Sequence, residues 1–210
     1  MRKWYPAVVI AAAFAFSALV YTRLPNPMAI HWNANGQPNG YGSRALGAFF
    51  APAMALSVWA ILRGLPRIDP RGENYAKFQG SYDLVVDVVV TFLVVIQVGT
   101  IGSALGWSVR INRLLPLVVG GLILVIGNVL PRVRSNWWLG IRTPWTLSSD
   151  TVWAKTHRVG GYLMSAAGIV TIFSALLPTR WSFHVMLVAI GGASLGAVVY
   201  SYFAWREEHP

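Results

Sequence analysis

Few side chains in this chain are equipped for chemistry, and they are scattered. Asp83 and Asp87 stand four residues apart, so both carboxylates share one face of a helix. A carboxylate inside an apolar stretch is costly and needs a partner. Arg142, Lys155 and Arg158, in a later basic segment, supply candidates. The pair therefore reads either as a proton- or cation-handling site or as an ionic dock for that segment. Ser148-Ser149-Asp150 has the residue types of a nucleophile with helpers, but the same residues ahead of a helical run are N-caps. His31 and His157 sit among polar and aromatic neighbours. A metal would need further ligands at suitable spacing, and His184 and His209 stand alone. The chain has no cysteine, no G-x-S-x-G, no H-E-x-x-H and no P-loop. The expectation is a protein that is not an enzyme and holds no metal or cofactor.

The elements that must position these groups are apolar. Of 210 residues, 55% are hydrophobic and 11% charged, and the mean hydropathy is +0.53. Soluble domains carry about 25% charge, so most of this chain is built for lipid. The net charge of +10 would suit nucleic acid if it lined one surface. Instead the basic residues fall between apolar runs, where they set topology and meet anionic lipid. Direct nucleic-acid binding is not expected.

Six apolar runs follow one another: 5–22, 45–62, 81–105, 114–131, 159–177 and 182–205. Each has the roughly 17 to 25 residues that an α-helix needs to cross a bilayer. The expected fold is all-α, a polytopic membrane protein of six transmembrane helices with one structured loop on each face. Residues 1–105 form an N-terminal three-helix half and 106–210 a second half. The first run, behind Arg2 and Lys3, reads as a retained helix rather than a cleaved signal. The fourth is the weakest, because it contains Pro116, Gly120, Gly121 and Asn128. Gly102-x-x-x-Gly106 and Gly192-x-x-x-Gly196 are candidate sites of close helix approach.

Between the runs, 23–43 carries Pro25, Pro27, Pro38, Gly36, Gly40 and Gly42, and reads as an ordered loop with turns at Asn35-Gly36 and Asn39-Gly40. Segment 63–80 reads as a polar, basic linker. Thr146 to Asp150 reads as a loop ending in a cap, and Thr151 to Arg158 as a short interfacial helix. Twelve of the seventeen Lys and Arg fall on one side of this topology and five on the other. The positive-inside rule then puts both termini in the cytoplasm, with 132–158 inside and 23–44 outside.

The densest stretch is 135–161, SNWWLGIRTPWTLSSDTVWAKTHRVGG. It is too aromatic for a solvated linker and too charged to span a bilayer, which suits a membrane surface. The order Asn136, Gly140, Arg142, Thr143-Pro144-Trp145, Ser148, Trp153 and His157 resembles the signature of the SdpI-type immunity protein family. Leu24-Pro25, His31-Trp32-Asn33, Gly36 and Asn39-Gly40-Tyr41 are similar to a small module that accompanies such domains. The resemblance implies a bacterial membrane protein that protects against a secreted peptide toxin, and that holds a cytoplasmic transcriptional repressor at the membrane when loaded. With the topology above, His31, Trp32, Asn33 and Tyr41 are expected to form an outward surface that meets the peptide, and the signature residues an inward one. Two readings from other classes stand beside it. One is a small transporter or channel working through Asp83, Asp87, Gln97 and Asn128. The other is a membrane enzyme acting at the signature loop.

Overall fold

In the computed structural model, residues 4–209 are described; Arg2 and Lys3 lie outside them. The order is α1 (Tyr5–Val20), β1 (Met28–Trp32), β2 (Pro38–Gly42), α2 (Arg44–Ile68), α3 (Gln79–Ala104), α4 (Ile111–Val129), α5 (Pro144–Ser148), α6 (Asp150–Ser174) and α7 (Thr179–Glu208). The chain is 78% helical. Consecutive long helices run in opposite directions. α3 packs on α1, α2 and α4, and α6 packs between α4 and α7.

Five helical segments are long and apolar enough to cross a membrane: Tyr5–Arg23, Arg44–Ile68, Gly72–Ala104, Ile111–Arg132 and Thr179–Glu208. The predicted fifth span, 159–177, is the exception. It lies in α6, a 25-residue helix whose polar start dilutes its apolar part. The physical reason is position. α6 is sandwiched by two neighbours, and Thr156, His157, Thr171 and Ser174 are buried among them. On its remaining side Tyr162, Ile169, Val170 and Phe173 are exposed, so the apolar part of α6 still presents a face to lipid. α7 likewise leaves Leu187, Val188, Leu195 and Val199 exposed, an apolar surface that water would not tolerate and a bilayer covers.

Close approach of α4 and α6 uses four glycines, one of them Gly120, which in the sequence reads as a weakness of the fourth run. A Cβ on Gly120 would stand 2.7 Å from the Gly168 carbonyl oxygen, and one on Gly127 would stand 2.5 Å from the Ser165 amide nitrogen. Gly161 and Gly168 are equally tight from the other side. Two glycines seven apart on each helix form the seam. The expected Gly102/Gly106 and Gly192/Gly196 pairs do not. Gly106 sits in a turn at φ +78°, Gly102 packs on Trp107, and Gly192 faces open space.

Three local expectations are corrected. Segment 23–43 is not a plain loop: β1 and β2 form an antiparallel hairpin, so the all-α chain carries one small sheet. Its turn is at Asn35-Gly36, while Asn39-Gly40 lies inside β2, where Gly40 opposes His31. Segment 63–80 is not a loose linker, because α2 runs on to Ile68 and a 3-10 turn fills Gly72–Phe78. Finally, Thr151 to Arg158 is no separate helix. It is the start of α6, and Pro144–Ser148 is a helical turn of its own.

Candidate functional site

The helix directions put the signature loop at one end of the bundle, with the end of α2, the start of α3 and the end of α7. The hairpin lies at the other end. These are the signature face and the hairpin face.

At the centre of the signature face is Asn136, fully buried at 0% exposure. Its Oδ1 accepts from the backbone of Trp138 at 2.9 Å and of Leu139 at 2.7 Å. Its Nδ2 donates to the carbonyls of Arg134 at 2.8 Å and Leu139 at 2.9 Å. One short amide thus replaces the backbone partners that an irregular buried loop would otherwise lack. Beside it, Asp69 accepts from the Trp137 amide at 3.0 Å and from the Tyr75 hydroxyl at 2.9 Å. That hydroxyl also lies 3.2 Å from Asn136 Oδ1. Arg71 donates to Ser135 Oγ and to the Leu147 carbonyl, and Asn74 to the Ser135 carbonyl at 2.8 Å. Segment 69–78 therefore clamps the signature loop from the side. Beneath the clamp, Tyr75, Phe78, Tyr82, Val133 and Trp153 form one apolar cluster.

His157 closes the loop from the other side. Its Nε2 lies 3.0 Å from the Ile141 amide, which can only donate, so Nε2 accepts. Nδ1 then carries the proton and donates to the Trp153 carbonyl at 2.9 Å. The ring stacks on Trp153 at 4.0 Å between centroids. It sits in the polar start of α6, ahead of the apolar run, and burial pushes its pKa down to about 4. It is a neutral, positioned ring, and neither a partner of Asp150 nor a lipid contact. Gly140 makes room for it: φ is +119°, and a Cβ there would stand 2.3 Å from His157 Nε2.

The hydroxyls are structural as well. Thr143 and Thr146 form a reciprocal capping box over Pro144–Ser148, and Ser149 caps α6 by accepting from Val152 at 3.2 Å. Ser148 bonds back to the Trp145 carbonyl. The loop is tied to α7 through Thr143 with Ser201 at 3.1 Å, Trp145 edge-on to Tyr202, Ser149 with Glu208 at 2.6 Å, and Lys155 with Glu207 at 3.4 Å. Between Ser135 and Ser149 five side chains stay exposed: Trp137, Trp138, Arg142, Pro144 and Ser148. Trp137 is 47% and Trp138 44% exposed, and exposed Arg142 donates to the Trp137 carbonyl at 2.7 Å.

Of the intramembrane groups, Asp83 accepts from Gln79 at 2.9 Å, and a carboxylate outside the Asp83 and Asp87 pair, Asp69, docks the loop. Asn128 is exposed in the last turn of α4, where Arg132 donates to it at 3.2 Å. Gln97 cross-links helices, donating to the Ala48 carbonyl at 2.5 Å and lying 3.1 Å from Ser17 Oγ. Among the described residues no cluster of three His, Asp or Glu is placed to hold a metal.

On the hairpin face, Asn33 Oδ1 accepts from Asn35 and Gln37, both at 3.0 Å, and so shapes the tip. His31 Nδ1 lies 2.6 Å from Asn39 Oδ1 across the strands, and Tyr41 is 60% exposed. The anchor is Met28, fully buried with Leu24, Ala48 and Ile101. The tip reaches the second half of the chain. Trp32, Asn33 and Gly36 share a small cavity of about 60 Å³ with Asn112 on α4 and Thr179 on α7, and Asn112 donates to Thr179 at 2.6 Å.

Sequence reading missed Asp69, Arg71, Asn74 and Tyr75. A signal was present: Tyr75 and Phe78, in the stretch read as polar linker, continue at helical spacing into Tyr82 of the next run and mark a buried face.

Residues 132–201 match the SdpI/YfhL protein family, and residues 8–56 match a domain of unknown function, DUF1648. The second match is wider than the 24–44 read from the sequence, taking in α1 and the first half of α2. The chain is 24% identical to Immunity protein SdpI of Bacillus subtilis (strain 168) over 200 residues, covering 95% of this chain and 94% of that one. No solved structure matches it. The chain is thus similar to SdpI-type proteins in its second half and carries the match to the smaller module at its N-terminal end, and its long apolar helices fit a membrane protein.

Proposed function

We propose that this chain is a plasma-membrane immunity protein that protects a bacterium from a secreted antimicrobial peptide, by binding the peptide outside and signalling the event inside. The observation that carries the reading is the similarity to Immunity protein SdpI, which runs over 95% of this chain and so includes both faces. The excess of Lys and Arg at the signature face supports a cytoplasmic position for that face and for both termini. The hairpin then meets the peptide first. His31 and Tyr41 are exposed on it, and Trp32 and Asn33 stand at its junction with α4 and α7.

The route between the faces is α7. Its start touches the hairpin tip through Thr179, and its end holds the signature loop through Ser201, Tyr202 and Glu208. Its 30 residues make a rod about 45 Å long. A shift of α7 caused by peptide on the hairpin moves the loop edge that carries Trp137, Trp138 and Arg142. That exposed edge is where a cytoplasmic repressor would be held.

The test is protection. The chain is expressed in a sensitive bacterium challenged with membrane-active peptide toxins, beside His31→Ala, Trp32→Ala and Arg142→Ala at equal membrane levels. The proposal expects survival with the wild type and reduced survival with each variant. Full protection by all three variants would sink it, and so would no protection by the wild type against any peptide.

A further inference from the structure

A groove of about 740 Å³ opens at the signature face, where α3 begins and α4 ends. Three cations line it: Lys77, Arg132 and Arg134. No acid lines it; Asp150 borders a separate, smaller cavity that shares Lys77 and Arg134. The partners of two of these cations are neutral. Lys77 donates to Asn74 Oδ1 at 2.7 Å and Arg132 to Asn128 Oδ1 at 3.2 Å. Among the described residues the ion pair is Lys155 with Glu207, well away on α6 and α7. All three cations are exposed. Three positive charges held around one concavity repel one another unless an anion joins them.

The rest of the lining says which anion. Phe78, Leu84 and Pro131 give the groove an apolar side, and it sits at the ends of two membrane-spanning segments, Gly72–Ala104 and Ile111–Arg132. A free phosphate would use the cations and leave the apolar side wet. A phospholipid uses both, with its phosphate at the cations and the start of its chains along Leu84 and Pro131. Basic pockets between helices at a membrane surface are suited to this. We infer that this groove is a binding site for the headgroup of an anionic phospholipid in the leaflet at the signature face. The inference goes beyond the immunity reading and stands without it. Arg134 leads directly into Ser135 and Asn136, so an occupied groove would brace the loop that the Asp69 clamp holds.

The experiment is native mass spectrometry of the full chain released from neutral-detergent micelles containing equal amounts of phosphatidylglycerol and phosphatidylcholine. The wild type is expected to keep one phosphatidylglycerol with at least tenfold preference. Lys77→Gln, Arg132→Gln and Arg134→Gln together should abolish the preference. Arg63→Gln, Arg67→Gln and Arg158→Gln, which remove the same charge from this face outside the groove, should leave it unchanged. If the triple groove variant does not fold, Arg134→Gln alone, whose side chain holds no other element, should still cut the preference severalfold. Equal retention of the two lipids by the wild type would overturn the site. An undiminished preference in the groove variants, or an equal loss in the control triple, would do the same. Displacement of the lipid by millimolar glycerol phosphate would show a free-phosphate site and overturn the lipid assignment.

Discussion

The two faces of this protein solve the problem of an irregular segment at a membrane surface in different ways. The signature loop is held by buried polar side chains. Asn136, Asp69, Tyr75 and His157 each make two or more hydrogen bonds and together pair the loop's backbone. The hairpin pairs its own backbone through β1 and β2 and is fixed chiefly by one apolar side chain, Met28. The lesson concerns what a signature means. Most signature residues are buried or half-buried and specify the loop's shape, and the outward surface is left to Trp137, Trp138, Arg142, Pro144 and Ser148. On the hairpin the polar residues are mostly exposed, and Asn33 is the one whose side chain shapes the tip.

The largest expected effects fall at the seam beneath the signature loop. Gly168→Leu drives a side chain into the Gly120 carbonyl and the Leu124 backbone. It should cost roughly 4 kcal/mol or more, seen as loss of monodisperse protein after detergent extraction. Asn136→Ala strands two amides and two carbonyls of a buried loop, at about 1–3 kcal/mol for each group left unpaired. Its melting temperature in detergent should fall more than that of any single hairpin variant. A hairpin variant with an equal fall would erase the contrast between the faces.

Asp69 sharpens the same contrast. Asp69→Ala removes the acceptor for Trp137 and Tyr75, while Asp83→Ala removes one bond from Gln79 at the surface. The first should destabilise by about 2–3 kcal/mol and the second by under about 1 kcal/mol. Melting curves of the two variants under one set of conditions decide the matter. The reverse order would restore Asp83 as the docking carboxylate.

His157 makes the signature face sensitive to acid. Its folded pKa lies near 4, below its ordinary value of 6.5. The unfolded chain therefore binds the extra proton first. Stability is unaffected above about pH 6.5, falls as pH drops through 6.5 towards 4, and levels off below. Two and a half pKa units correspond to at most about 3 kcal/mol. The melting temperature of the wild type should drop between pH 7.5 and 5 by more than that of His157→Gln. Equal drops would mean that other groups carry the pH dependence.

The spans and the signature were legible because long apolar runs and their Lys and Arg flanks are local properties of the chain. α6 was legible as a helix, but the burial of its polar face was not, since packing between α4 and α7 is a tertiary fact. The same holds for Gly120, Gly127, Gly161 and Gly168. Each looks like a weak point in its own helix, and only the facing helix turns them into a seam. Asp83 and Asp87 drew attention because carboxylates stand out against valines. Asp69 did not, because it lies in a charged stretch, and burial is what distinguishes it. His157 was placed among the signature residues, but its acceptor role at Ile141 depends on how 140–142 folds back over α6.

The smallest expected effect on stability is on the hairpin, and it is the most informative about function. His31 holds Asn39 across an exposed ladder, and Tyr41 makes no core contact. His31→Ala and Tyr41→Ala should each change stability by less than about 0.5 kcal/mol. In the protection assay His31→Ala should nonetheless lose most of its effect, because an exposed side chain whose loss leaves the fold intact has only its outside contacts to give up. Met28→Ala is the counter-case. It empties a fully buried position and should cost about 2–4 kcal/mol, so any loss of protection there would follow loss of protein. If His31→Ala reduced protection only in proportion to membrane level, the hairpin would be a structural strap between the halves. The peptide would then have to be met elsewhere on the outer surface.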